Sequence, residues 1–258
     1  LRFASLGSGS EGNALLVETR CGTGYARILI DCGFGSREAC RRLNALGIEP
    51  ASLQGILVTH EHSDHIGGVF RLSAQSDVPV YLTHGTLAAA DMPTNEALVR
   101  VIDSHQPFDL PGFRITPVPV PHDAREPVQY VIDDGRARLG VLTDLGHGTA
   151  HVHREFSGLD GLVLECNHDE RMLAENPRYP PMLKRRIGGP YGHLANSAAT
   201  QILAALDRSR LRTVVAAHLS QKNNTPELAR AALAAGLGAA AKDMRVADQA
   251  TGFSWLEV

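Results

Sequence analysis

Residues 59–65 read Thr59-His60-Glu61-His62-Ser63-Asp64-His65, directly after the apolar run Gly55-Ile56-Leu57-Val58. The apolar run reads as a buried strand, and the histidines fall where that strand would run out into a loop. His60 and His62 are two apart, so at a strand end they point to one face and can grip one ion. Asp64 and His65 lie past the turn and can reach a second ion from its other side. Imidazole with carboxylate suits Zn, Mn or Fe, and a carboxylate among the ligands suits an open, water-holding catalytic site. One histidine here would read as a core or surface residue. Four ligand-type residues in H-x-H-x-D-H, followed by Ile66-Gly67-Gly68, read as a metal cluster.

The chain around this cluster has 258 residues, 43% of them apolar, enough for one large core with two layers of sheet. No apolar run approaches a membrane span and no basic-then-apolar leader opens the chain, so a cytoplasmic protein with no membrane partner is expected. The numbered chain begins at Leu1 rather than Met. Cys21, Cys32, Cys40 and Cys166 form no C-x-x-C pair and read as free buried thiols. A formal net charge of −3 gives no global attraction to nucleic acid or anionic membrane, so any polyanion must be met by a local patch. Twelve histidines are many for this length and fit a His-built site.

In the first third, strands and helices alternate, which argues α/β. Strands are expected at 3–6, 13–18, 27–30, 55–58 and 78–82. A Gly-Ser turn spans 7–12, a helix is capped by Ser36 and ended by Gly47, and another helix runs from about 66 to 75. From residue 113 short strands follow one another, at 113–120, 128–133, 139–143 and 162–165. Turns such as Asp133-Asp134-Gly135 imply antiparallel pairing. Prolines 117, 119 and 121 leave all their missing donors on one side, which predicts a sheet-edge strand, or one whose pairing stops there, ending at His122. Helices return at about 195–206 and 226–233, with strands at 213–216, 244–246 and 253–256. No repeat or linker divides the chain, so one domain over 1–258 is expected, with two sheets packed face to face and helices outside.

Four more candidates stand at or after strand ends: His122, Asp144 after Gly140-Val141-Leu142-Thr143, His218 after Val214-Val215-Ala216-Ala217, and His193 ahead of a helix. With the 60–65 cluster they supply what a binuclear site still lacks: a third neutral ligand for each ion and a carboxylate to bridge the pair. The motif H-x-H-x-D-H-x-G-G after an apolar strand, then a lone His, a lone Asp and a late His, resembles the metallo-β-lactamase superfamily. Leu6–Asn13, Leu164–Asp169, Gly192-His193-Leu194-Ala195-Asn196 and His218–Pro226 are similar to its bacterial YycJ (WalJ) branch, a relative of RNase Z.

The resemblance implies a four-layer αβ/βα sandwich. It implies that His60, His62 and His122 hold one divalent ion, that Asp64, His65 and His218 hold the other, and that Asp144 bridges both. It places His193 where RNase Z relatives carry a His that assists the leaving group, and Asp31 at a position that orients the ligand loop. The sequence departs at Ala195, where the branch carries Ser, and so lacks a phosphate-contacting hydroxyl there. It shows neither the long arm RNase Z uses to hold tRNA nor the inserted second domain of exonuclease-type RNases.

Two ions sharing a hydroxide would cut a phosphodiester, with Asp64 orienting the nucleophile and His193 protonating the departing oxygen. His168 is the alternative donor. Lys184-Arg185-Arg186 is the compact basic run, either a phosphate clamp at the mouth of the site or a solvated helix face. The leading expectation is a metal-dependent phosphodiesterase using two Zn or Mn ions (Fe as a further option) on nucleic acid, a DNA exonuclease ahead of an RNA enzyme. The alternative is a small-molecule hydrolase acting on a cyclic phosphodiester, thioester or lactam. A non-enzymatic metal scaffold is disfavoured, because no ligand is missing.

Overall fold

A computed structural model describes residues 1–90 and 95–258. The chain opens with strands β1 (Arg2–Gly7), β2 (Ala14–Cys21) and β3 (Gly24–Ile30), then helix α1 (Ser36–Ala45) and strand β4 (Gly55–Leu57). Helices α2 (Ser63–Ile66) and α3 (Val69–Ser76), strand β5 (Val80–Thr83), helix α4 (His84–Ala89) and strand β6 (Val99–Ile102) follow. Next come β7 (Phe108–Leu110), β8 (Phe113–Pro119), β9 (Val128–Asp133), β10 (Arg138–Leu142), α5 (Ala150–Glu155) and β11 (Gly161–Glu165). The last part holds α6 (Glu170–Glu175), α7 (Pro181–Ile187), α8 (Asn196–Ala205), β12 (Thr213–Ala217), α9 (Pro226–Leu237), β13 (Arg245–Val246) and β14 (Phe253–Glu257).

Two seven-stranded sheets result, in the orders β14-β1-β2-β3-β4-β5-β6 and β13-β12-β11-β10-β9-β8-β7. Each is mixed: β3 to β6 run parallel in the first, and β10 to β13 in the second. Alternation along each strand builds three apolar layers. Ile28 and Ile30 of β3 meet Tyr130, Val141 and Val163 between the sheets. Leu29, on the opposite face, joins Leu43 of α1 and Leu72 of α3. Leu162 and Leu164 of β11 pack instead with Ile202 of α8 and Leu233 of α9. Both faces of both sheets are thus covered, giving the αβ/βα sandwich. Tyr130 Oη donates to Val58 O at 2.7 Å and Val128 N to Thr59 O at 3.0 Å, tying the sheets together just below the histidine cluster.

Several local expectations are corrected. Ser36 is the first helical residue of α1, not its cap; Gly35 holds the cap position without a side-chain bond. The helix expected over 66–75 is two helices broken at Gly67-Gly68. A Cβ on Gly68 would lie 1.8 Å from Phe34 O, and one on Gly33 1.9 Å from Asp64 O, so the Asp31–Phe34 loop and the ligand loop touch backbone to backbone. The antiparallel expectation holds for β8, β9 and β10, but β11 and β12 pair in parallel, with α5 and the segment carrying α6 to α8 as the crossovers.

The proline strand β8 is not the outermost one, because β7 lies beyond it. Val120 N bonds Pro127 O, so the missing proline donors face the β7 side. There β7 covers only Phe113–Ile115, so Pro117, Pro119 and Pro121 interrupt no pairing. All four cysteines are free; Cys32 and Cys166 are buried, whereas Cys21 and Cys40 are half-buried.

Candidate metal centre

The site gathers at the carboxyl ends of the central strands, where open α/β sheets leave a crevice. Asp31 follows β3, His60 and His62 follow β4, and α2 carries Asp64 and His65. From the second sheet come His122 after β8, Asp144 after β10, Glu165 at the end of β11 and His218 after β12. Asp31, Asp144 and His218 adopt φ values of 60°, 49° and 54°, a left-handed conformation that costs a non-glycine residue roughly 1–2 kcal/mol. At each, the strand ends abruptly and the side chain turns back into the crevice. Such strain persists where the surroundings over-determine it, as they do here.

His60, His65, His122 and His218 each have one ring nitrogen occupied, which fixes where the other points. Thr59 Oγ1 donates to Asp31 Oδ2 at 2.8 Å and stands 3.0 Å from His60 Nδ1, so it accepts from that nitrogen. His65 Nδ1 donates to Asp31 Oδ2 at 2.8 Å, and His122 Nδ1 donates to Gly192 O at 3.0 Å. His218 Nδ1 faces Glu165 Oε1 at 3.2 Å. The inner atoms then converge. His60 Nε2 and His62 Nδ1 are 3.0 Å apart, and His122 Nε2 is 3.3 Å from His62 Nδ1. Asp64 Oδ2 stands 3.5 Å from His65 Nε2 and 3.4 Å from His218 Nε2.

Asp144 lies between the two groups, Oδ1 being 4.0 Å from His122 Nε2 and Oδ2 3.0 Å from His65 Nε2. Its Oδ2 is buried without a hydrogen bond of acceptable geometry. Acceptor atoms aimed at shared points, with a buried carboxylate oxygen left over, fit divalent cations better than any hydrogen-bond pattern the residues could make among themselves. Burial, helped by the charge of His65, holds His60 well below the ordinary imidazole pKa, which keeps it neutral as a ligand must be. Burial acts against ionisation of Asp144, but His218 and His65 outweigh it and keep the carboxylate charged.

The structure therefore brings together His60, His62, Asp64, His65, His122, Asp144 and His218. His193 joins them from the loop before α8, with Nδ1 2.9 Å from Glu165 Oε1 and 3.1 Å from Asp144 Oδ1. Burial opposes its protonation, yet the hydrogen bonds to those two carboxylates raise its pKa well above the ordinary value. Its Nε2 is the nitrogen left for the cleft, about 290 Å³, that His193 lines with His62, Asp64, Asp123, Leu183 and Arg186. His168 stays out of the cluster, buried, with Nδ1 unpartnered.

The basic run divides. Lys184 turns its ammonium to Ala174 O, and only Arg186 lines the cleft, its Nε 2.6 Å from Asp123 Oδ2. Arg185 is left on the exposed face of the helix.

Glu165 is the residue sequence reasoning missed. It is fully buried, receives Leu145 N on Oε2 at 2.8 Å, and orients both His193 and His218 through Oε1. Its only signal was a carboxylate ending an otherwise apolar strand. Partners of this kind commonly set metal affinity within 10–100-fold. Glu165→Gln, which keeps one acceptor oxygen but not the charge, is expected to weaken metal retention by about that factor, measured by competition with a chromogenic chelator. Unchanged affinity would show that Glu165 only fills space.

Residues 26–219 match the family model described as the Beta-lactamase superfamily domain, and the chain belongs to that superfamily. It is a metal-dependent hydrolase of this class. The "Exodeoxyribonuclease YycJ" of Bacillus anthracis is 35% identical over 237 residues, covering 89% of this chain and 86% of that protein. The "Exodeoxyribonuclease WalJ" of Streptococcus pneumoniae serotype 2 (strain D39) is 30% identical over 241 residues, 88% of this chain and 85% of that one. Among solved structures, the metallo-beta-lactamase fold protein YhfI from Bacillus subtilis superposes with a TM-score of 0.75 at 17% identity, covering 100% of this chain and 99% of that chain. The YycJ-like resemblance and the sandwich read from the motifs both stand. Among the described residues, no helix is long and apolar enough to cross a membrane.

Proposed function

We propose that the protein is a binuclear phosphodiesterase that degrades nucleic acid, DNA ahead of RNA, from an end. In this reading one domain over 1–258 carries the whole site and the protein acts in the cytoplasm. The observation that carries it is the pair of groups His60/His62/His122 and Asp64/His65/His218, with Asp144 between them, beside a cleft that presents Arg186. His60, His62 and His122 would hold one ion, Asp64, His65 and His218 the other, and Asp144 would touch both. Zn or Mn, with Fe as a further option, would supply a water deprotonated near neutrality and would neutralise charge on a phosphodiester oxygen. Asp64 orients the attacking oxygen with its carboxylate. His193 delivers a proton from Nε2 to the departing oxygen, while Glu165 and Asp144 hold its Nδ1. Arg186 takes a phosphate, exchanging its present partner Asp123 for the substrate. The exodeoxyribonuclease names of the YycJ and WalJ relatives favour DNA.

The test is end-labelled single- and double-stranded DNA and RNA incubated with Zn- and Mn-loaded protein. Stepwise shortening of DNA supports the reading. Turnover of a cyclic phosphodiester, thioester or lactam with all four nucleic acids intact would establish the small-molecule alternative instead. In the same assay Arg186→Ala is expected to lower the salt dependence of DNA turnover by about one unit of log–log slope, whereas Lys184→Ala and Arg185→Ala change it little. Equal effects of the three substitutions would mean that the whole run contacts the substrate.

A further inference from the structure

Resting on the nuclease reading, a second feature of the cleft points to how the substrate is held. Two of the most exposed large apolar side chains, Met182 at 75% and Tyr191 at 61%, lie on the one segment, 180–193, that also supplies Leu183, Arg186, Ile187, Gly192 and His193 to the cleft. Single exposed apolar residues are ordinary. What separates Tyr191 is that its backbone is fixed while its ring is free. Gly192 N bonds Gly189 O at 3.0 Å and His193 N bonds Ile187 O at 2.8 Å. Pro190 O accepts from His147 Nδ1 at 2.8 Å and packs onto Gly146, where a Cβ would come within 2.1 Å of it. On its other side Gly192 O accepts from His122 Nδ1, so the residue after Tyr191 is tied to a ring of the ligand set.

A ring mounted on a braced loop loses little conformational freedom when it binds, and aromatic rings combined with cationic side chains are how proteins hold unpaired nucleotides. Gly192, the residue after Tyr191, lies against the turn that carries the arginine: a Cβ on it would come within 2.2 Å of Arg186 O. We propose that Tyr191 is a stacking platform for a nucleobase flanking the scissile phosphodiester, working with Arg186 on a neighbouring phosphate. The base has to leave its own stack to reach the ring. The enzyme therefore selects single-stranded or frayed ends.

The experiment compares metal-loaded wild type, Tyr191→Ala and Tyr191→Phe on a single-stranded oligodeoxynucleotide and on the same strand with abasic residues at both ends. Binding is measured alongside by fluorescence anisotropy with a phosphorothioate-capped strand that resists cleavage. Stacking of one base corresponds to about 5- to 150-fold. Wild type is expected to prefer the base-bearing strand by a factor in that range. Tyr191→Ala should bring the preference close to one and weaken binding of the capped strand, while Tyr191→Phe should keep both. A preference unchanged in Tyr191→Ala, with wild type cutting normally, would overturn the platform and leave the nuclease reading intact. A wild type that cuts neither strand would overturn both.

Discussion

His62→Ala is expected to leave the protein at least one divalent ion short of wild type, which should approach two equivalents after careful purification and metal loading. The expectation follows from geometry: His62 Nδ1 lies 3.0 Å from His60 Nε2 and 3.3 Å from His122 Nε2, so it completes one of the two groups. Losing one of three neutral ligands should abolish tight binding at that position; Asp123, whose Oδ1 lies 3.5 Å from His122 Nε2, is held by Arg186 and is a poor replacement. His122→Ala should lose metal and activity in the same way, on substrates with good and poor leaving groups alike. Metal analysis of dialysed protein is the readout. A wild type that never exceeds one equivalent under metal excess would reduce the centre to a mononuclear one and leave Asp144 without a bridging role.

His193→Ala should behave differently. If His193 donates the proton, the variant keeps both ions and loses roughly 10²–10⁴ in rate on a natural phosphodiester, the usual worth of a general acid. The loss should shrink with a nitrophenyl ester, whose leaving group departs without protonation. Because His193 Nδ1 lies within 3.1 Å of Asp144 Oδ1, the competing possibility is that His193 belongs to a metal group with Asp144, Glu165 and His218. In that case the variant would lose an ion and suffer equally with both leaving groups. Metal content and leaving-group dependence measured together separate the two roles.

The candidate ligands that the structure gathers were legible in the sequence because ligand chemistry is carried by residue type and short spacing. His60, His62, Asp64 and His65 occupy one heptapeptide, and His122, Asp144 and His218 each end an apolar run. Glu165 was not legible, because its role depends on neighbours distant in sequence. It orients His193 and His218 only because β11 lies between β10 and β12, an order set by crossovers rather than by hairpins. The division of the basic run was hidden for a similar reason. Lys184, Arg185 and Arg186 are adjacent in sequence, but α7 turns each in a different direction, and only Arg186 meets the cleft. The short helices α4 to α7, of six or seven residues, are too brief for a 3.6-residue period to establish itself. Gly67-Gly68 looked like part of a helix because nothing local reveals that Phe34 O lies against it.

The proposed ligand set is divided between the sheets: His60, His62, Asp64 and His65 come from the first, and His122, Asp144 and His218 from the second. Ions held by it would fasten one half of the sandwich to the other and would find no comparable grip on an unfolded chain. Folding and metal supply then become one equilibrium. Each tenfold rise in free ion above its dissociation constant adds about 1.4 kcal/mol per site to the work of separating the sheets. On that assignment the melting temperature of this protein would carry meaning only beside a stated free-metal concentration, and a chelator would act on it as a denaturant as well as an inhibitor.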